Sequence, residues 1–78
     1  TAAAAAAQRS ASLSRIAAHL RLGPGASASA VVATLARSSS RTGPELARMF
    51  DASGIRTEAA LVAWANDLHT LEKEIGIP

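Results

Sequence analysis

The chain has no cysteine and no tyrosine, one tryptophan and one phenylalanine. Without cysteine, neither a disulfide framework nor a thiolate metal site can form, and the chain is compatible with a reducing compartment. With so few aromatics, the core must rest on aliphatic side chains. No apolar run approaches the roughly 20 residues that a bilayer-spanning helix needs. Ala2–Ala7 is short and weakly hydrophobic, and it lacks the charged start and cleavage site of a signal peptide. There is no local Ser/His/Asp arrangement, no paired-carboxylate motif and no clustered histidine, so the residue types point away from an enzyme. Gly23-Pro24-Gly25 is not a phosphate loop, because no G-K-[ST] follows it. No cofactor is implied.

Acid is also missing from half of the chain. Residues 1–41 carry Arg9, Arg15, Arg21, Arg37 and Arg41 and no carboxylate, whereas residues 42–78 carry all six acids against Arg48, Arg56 and Lys73. A split of this kind marks either a nucleic-acid or membrane surface or two halves that attract each other. Arg9, Arg15 and Arg21 are spaced by six, about 240° apart on a helix, so they spread around it and form no basic stripe. Mutual attraction of the halves is the preferred explanation.

What the sequence does contain is helix punctuation. Seventy-eight residues allow one domain. Gly23-Pro24-Gly25, Thr42-Gly43-Pro44-Glu45 and Ser53-Gly54-Ile55-Arg56-Thr57 cut it into four segments with helical periodicity and no strand signal. The first runs from about Ala3 to Leu22, with Leu13, Ile16, Ala17 and Leu20 on one face. Gly23-Pro24-Gly25 should stop it, with glycine supplying the left-handed cap. The second follows Ser27 as N-cap, buries Val31, Val32 and Leu35, and ends in Ser38–Ser40. The third opens on a capping box, Thr42 with Glu45, and has Pro44 in its first turn. Leu46, Met49 and Phe50 share a face of it. The fourth is capped by Thr57 and carries Leu61, Trp64, Leu68, Leu71 and Ile75 at 3-4-3-4 spacing, an unbroken a/d seam. Gly76 and Pro78 should end it.

The expected fold is therefore all-α, a small four-helix bundle with short loops and antiparallel neighbours. Its core should consist of Leu13, Ile16, Leu20, Val32, Leu35, Leu46, Phe50, Leu61, Trp64, Leu68 and Leu71. Alanine buries little area, so modest stability is expected.

Arg9 and Glu72 each fall on an apolar face. In an up-down-up-down bundle, the start of the first helix lies beside the end of the last, which predicts an Arg9–Glu72 ion pair. His19 and His69 sit at the edges of apolar faces and suit packing or solvent better than a metal. Ser38-Ser39-Ser40-Arg41 has the makings of a phosphorylation target but reads first as a polar connection.

The landmarks resemble one family. Leu20-Arg21-Leu22-Gly23-Pro24-Gly25-Ala26-Ser27 followed by Val31-Val32-Ala33-Thr34-Leu35-Ala36-Arg37 is similar to its "Leu-x-Leu-Pro-Pro-Gly, then helix" segment, with Gly23-Pro24 standing where Pro-Pro is more usual. Arg41-Thr42-Gly43-Pro44-Glu45-Leu46 matches a comparable turn and short helix. Glu58-Ala59-Ala60-Leu61-Val62 through Leu68-His69-Thr70-Leu71-Glu72-Lys73-Glu74 resembles its closing "Ala-Leu-Val…Leu-x-x-Leu-Glu" helix. The family comprises bacterial membrane proteins of unknown function, with two membrane helices, encoded beside MoxR-type AAA+ ATPases. The resemblance covers nearly all of this chain. It implies that the chain is the C-terminal cytosolic helical region of such a protein, on the cytoplasmic side of the cell membrane and near the ATPase and its von Willebrand-type partners. It lends no catalytic residue.

The expected function is thus a non-enzymatic protein-interaction module. Its partner would be a protein or a second copy, and the membrane would be reached through parts outside this chain. The alternative is a small helical DNA-binding domain, with the second and third segments as a helix-turn-helix. Nucleic acid is disfavoured because Arg48 is the third segment's one basic residue.

Overall fold

The computed structural model describes residues 1–23 and 25–77. The expected roles of Pro24 in the first turn and of Pro78 after the last helix lie outside the described residues. Four α-helices follow in order: α1 (Ala2–His19), α2 (Ala28–Ser38), α3 (Gly43–Met49) and α4 (Glu58–Glu74). No strand occurs among the described residues. The all-α four-helix class is as the periodicity predicts.

Three of the four helix starts are local chemistry. Ser27, Thr42 and Thr57 have extended backbone, and each hydroxyl accepts a hydrogen bond from the amide three residues on, that of Ala30, Glu45 and Ala60. A side-chain oxygen there satisfies a backbone donor that the helix itself leaves free. The α3 capping box is half formed. Thr42 Oγ1 accepts from Glu45 N–H at 3.2 Å, but the Glu45 carboxylate turns to Arg41 at 3.1 Å, a charged partner within reach.

The end of α1 departs from expectation. The helix stops at His19, and the left-handed residue of its cap is Arg21, with φ 60°, not a glycine. Arg21 N–H donates to Ala18 O and Leu22 N–H to Ala17 O, the paired bonds of a Schellman cap. A β-carbon in this conformation costs roughly 1–2 kcal/mol. Leu22, the next residue, is half-buried against the core. The end of α4 is the regular version. Gly76 takes φ 97°, and Gly76 and Ile77 donate to Lys73 O and Glu72 O.

The helices are not arranged up-down-up-down. Residues Leu22, Gly23, Gly25 and Ala26 fold back along Ser14, Ala17 and Ala18 of α1. As a result α2 starts beside Arg9 and ends beside His19 and Leu20. Helix α3 returns, and places Ala47 and Phe50 beside the start of α2. Helix α4 reverses again, from Trp64 at the end of α3 to Glu74 at its start. The C-terminal ends of α1, α2 and α4 therefore gather at one end of the molecule, with the start of α3 among them.

The fully buried core is Ile16, Val31, Leu35, Leu46, Leu68 and Leu71, joined by Ala5, Ala17, Phe50 and Trp64. Leu13, Leu20, Val32 and Leu61 are half-buried at its edge, so the predicted core is corrected at these four positions. In α1 the buried residues are Ala5, Ser12, Ile16 and Ala17, with Arg9 half-buried beside Ala5 and Ser12; Ile16 and Ala17 are buried as predicted, and Leu13 and Leu20 lie at the edge of that face. In α2 it is Val31 with Leu35, one turn apart, and Val32 turns toward the rim.

Candidate functional site

Polar chemistry concentrates where α1 meets α4. Glu72 faces the core and is 3% exposed. An isolated carboxylate there would be costly, but its oxygens are satisfied. Ser12 Oγ, itself fully buried, donates to Oε2 at 3.1 Å. Arg15 Nε donates to Oε1 and Arg15 Nη2 to Oε2, a two-pronged contact. The Arg15 hydrogen bond holds the Glu72 carboxyl below the usual carboxylate range, against the opposing effect of burial and with help from Ser12. Among the described residues no buried side-chain nitrogen or oxygen lacks a partner.

The predicted Arg9–Glu72 pair is therefore corrected. Glu72 belongs to Arg15, and Arg9 Nε instead donates to the Phe50 carbonyl at 2.7 Å. The cause is the sense of the helices. Because α1 and α4 have their C-terminal ends together, Glu72 lies beside the second half of α1, whereas Arg9 lies beside the end of α3. Ser12 and Arg15 were missed from sequence. Ser12 sits on the 4-3-4 stripe Ala5, Arg9, Ser12, Ile16, which was the available signal. Arg15 flanks that stripe, one turn beyond Ser12.

Two side chains close the last turn of α3. Arg9 reaches Phe50 O from α1, and Trp64 Nε1 donates to Met49 O at 2.8 Å from α4. These carbonyls have no helical partner of their own, so both bonds satisfy groups that α3 exposes. Trp64 is buried and acts as an anchor, as its place on the seam predicts.

The gathered helix ends form an open groove lined by His19, Leu20, Ser38–Ser40, Arg41, Glu45, Glu74 and Ile75. Arg41 holds it together. Its guanidinium donates to Glu45 Oε2 at 3.1 Å and to both Glu74 oxygens at 2.9 and 3.1 Å, and so ties the start of α3 to the end of α4. Hydrogen bonding to Glu74, then Glu45, pushes the arginine further up, and Glu74 is lowered by the same contact. His19 Nε2 lies 2.8 Å from Ile75 O, close enough to donate to a carbonyl at the end of α4. His69 is exposed. Among the described residues no three of His, Cys, Asp and Glu come together as metal ligands. Among the described residues the three ion pairs, Arg15–Glu72, Arg41–Glu45 and Arg41–Glu74, join the acid-free first part of the chain to the acidic second part. Part of the uneven charge is thus used in internal pairing.

One large apolar side chain stands out from the core. Val62 is 59% exposed, with exposed Ala59 and Ala63 beside it on the outer face of α4. No helix among the described residues is long and apolar enough to cross a membrane. Comparison with protein-family models, with curated proteins and with solved structures finds no match to this chain.

Proposed function

We propose that this domain is a non-enzymatic protein-interaction module, the cytosolic end of a membrane-anchored protein that works with a MoxR-type ATPase. The observation that carries the interaction surface is Val62, with Ala59 and Ala63 beside it, opposite the seam that α4 buries. Small residues beside the exposed valine give a partner close access to the helix. The membrane and ATPase setting rests on the sequence resemblance given above.

The alternative, DNA binding, draws on the antiparallel α2 and α3 with their short connection. It is disfavoured because Arg41, at the head of α3, is engaged by Glu45 and Glu74, which leaves Arg48 as the exposed cation of α3.

Titration of the domain with a purified MoxR-type ATPase tests the proposal. Saturable binding that Val62→Glu weakens by about tenfold or more, with the fold intact, is expected, since burying a valine contributes roughly 1.5–3 kcal/mol. No binding, or binding indifferent to Val62, refutes it. A midpoint of unfolding that rises with protein concentration would identify a second copy as the partner. Binding to duplex DNA that falls steeply with salt would favour the alternative.

A further inference from the structure

We propose that Ser40 is a phosphorylation site whose phosphate releases the Arg41 clamp between α3 and α4. Ser40 is exposed in the bend between α2 and α3. Its neighbours are engaged: Ser38 Oγ donates to Thr34 O, and Ser39 Oγ accepts from Arg41 N–H. The Ser40 hydroxyl has no such bond among the described residues, so a kinase can present it without first breaking a contact. Arg37 stands three residues before it and Arg41 directly after, a basic setting that suits the acidic substrate cleft of an arginine-directed serine kinase.

In the transfer, the Ser40 hydroxyl oxygen attacks the γ-phosphorus of ATP held by that kinase. The new oxygen–phosphorus bond forms as the bond to the bridging β–γ oxygen breaks. ADP leaves, and the hydroxyl proton passes to the kinase's carboxylate base.

The consequence follows from the groove. Ser40 lines it together with Arg41, Glu45 and Glu74. A phosphoserine brings close to two negative charges and three strong acceptors. It competes with Glu74 and Glu45 for one guanidinium and faces both carboxylates. The C-terminal ends of α1, α2 and α4 are also here, and helix C-termini disfavour an anion. The one favourable dipole, at the start of α3, is that of a seven-residue helix and acts over its first turn only. The contact from α3 to the end of α4 therefore loosens. Trp64 reports on it, because its Nε1 bonds to Met49 O at the far end of α3.

The test uses the full chain with magnesium ATP and a serine kinase selective for arginine three residues before the acceptor, followed by fragment mass mapping. One phosphate on Ser40 is expected, absent from Ser40→Ala and strongly reduced in Arg37→Ala. No incorporation, or equal incorporation in Ser40→Ala, overturns the site. In the phosphorylated chain, Trp64 emission should shift to the red and Tm should fall. Both effects should be smaller in an Arg41→Ala background, where there is no clamp to release. Unchanged emission and Tm on stoichiometric phosphorylation, or the same change without Arg41, overturns the release of the clamp.

Discussion

Removing Arg15 should reverse the sign of Glu72's contribution to the stability of this domain in acid. In the native protein Glu72 is nearly inaccessible, and it holds two contacts from Arg15 and one from Ser12. Arg15→Ala leaves a buried carboxylate with Ser12 alone. Breaking a fully buried pair costs about 3–5 kcal/mol, whereas an exposed one contributes about 0–1 kcal/mol. The Arg15 side chain is 48% exposed and that of Glu72 is 4% exposed, so the cost falls between, about 2 kcal/mol at pH 7. For a domain of this size that lowers Tm by roughly 8–16 °C.

The pH dependence separates charge from packing. With Arg15 present, the Glu72 carboxyl is lowered relative to the unfolded chain. A lowered group contributes stability above its unfolded pKa, about 4.3, and that contribution is lost as pH falls through the folded value. Asp51 and Glu74 are lowered as well and have the same sign. Without Arg15, burial dominates and the Glu72 carboxyl should rise above its unfolded value. Its penalty is then greatest at neutral pH and is relieved on protonation. The difference between native protein and Arg15→Ala should therefore shrink between pH 7 and pH 4, while the effects of Asp51 and Glu74 cancel. Urea unfolding followed by Trp64 fluorescence measures both. A cost below about 0.5 kcal/mol, or a difference that does not depend on pH, would refute the reasoning.

Arg21→Gly should stabilise the domain by about 0.5–1 kcal/mol. The left-handed penalty of roughly 1–2 kcal/mol is removed, and about 0.4–1 kcal/mol is lost to a freer unfolded chain; a lower Tm would mean that the Arg21 side chain contributes more than its backbone costs. Leu68→Ala should cost about 2–5 kcal/mol and Leu13→Ala less than about 2 kcal/mol, since the first is fully buried and the second lies at the edge. Equal costs in thermal unfolding would contradict that difference. Thr42→Ala should cost about 0.5–2 kcal/mol through the amide of Glu45, and circular dichroism during denaturation checks it.

The sequence by itself determined the local features. Ser27, Thr42 and Thr57 as caps, Trp64, Leu68 and Leu71 as a buried seam, and Gly76 as the stop of α4 all follow from interactions within three or four residues. Such contacts are fixed by helix geometry, so spacing in the chain is spacing in space. The class, four helices and no strand among the described residues, follows from the same periodicity. The partner of Glu72 was decided only by the tertiary structure. Sequence placed Glu72 on the buried face but assigned it Arg9, because the relative sense of α1 and α4 is not a local quantity. The connection through Leu22 and Ala26 folds back along α1, and this one non-local choice sets the sense of every later helix. It moves Ser12 and Arg15 to Glu72 and leaves Arg9 to the end of α3. The groove at Ser38–Ser40 arises in the same way, because three helix ends that are far apart in the chain meet only once the fold has brought them together.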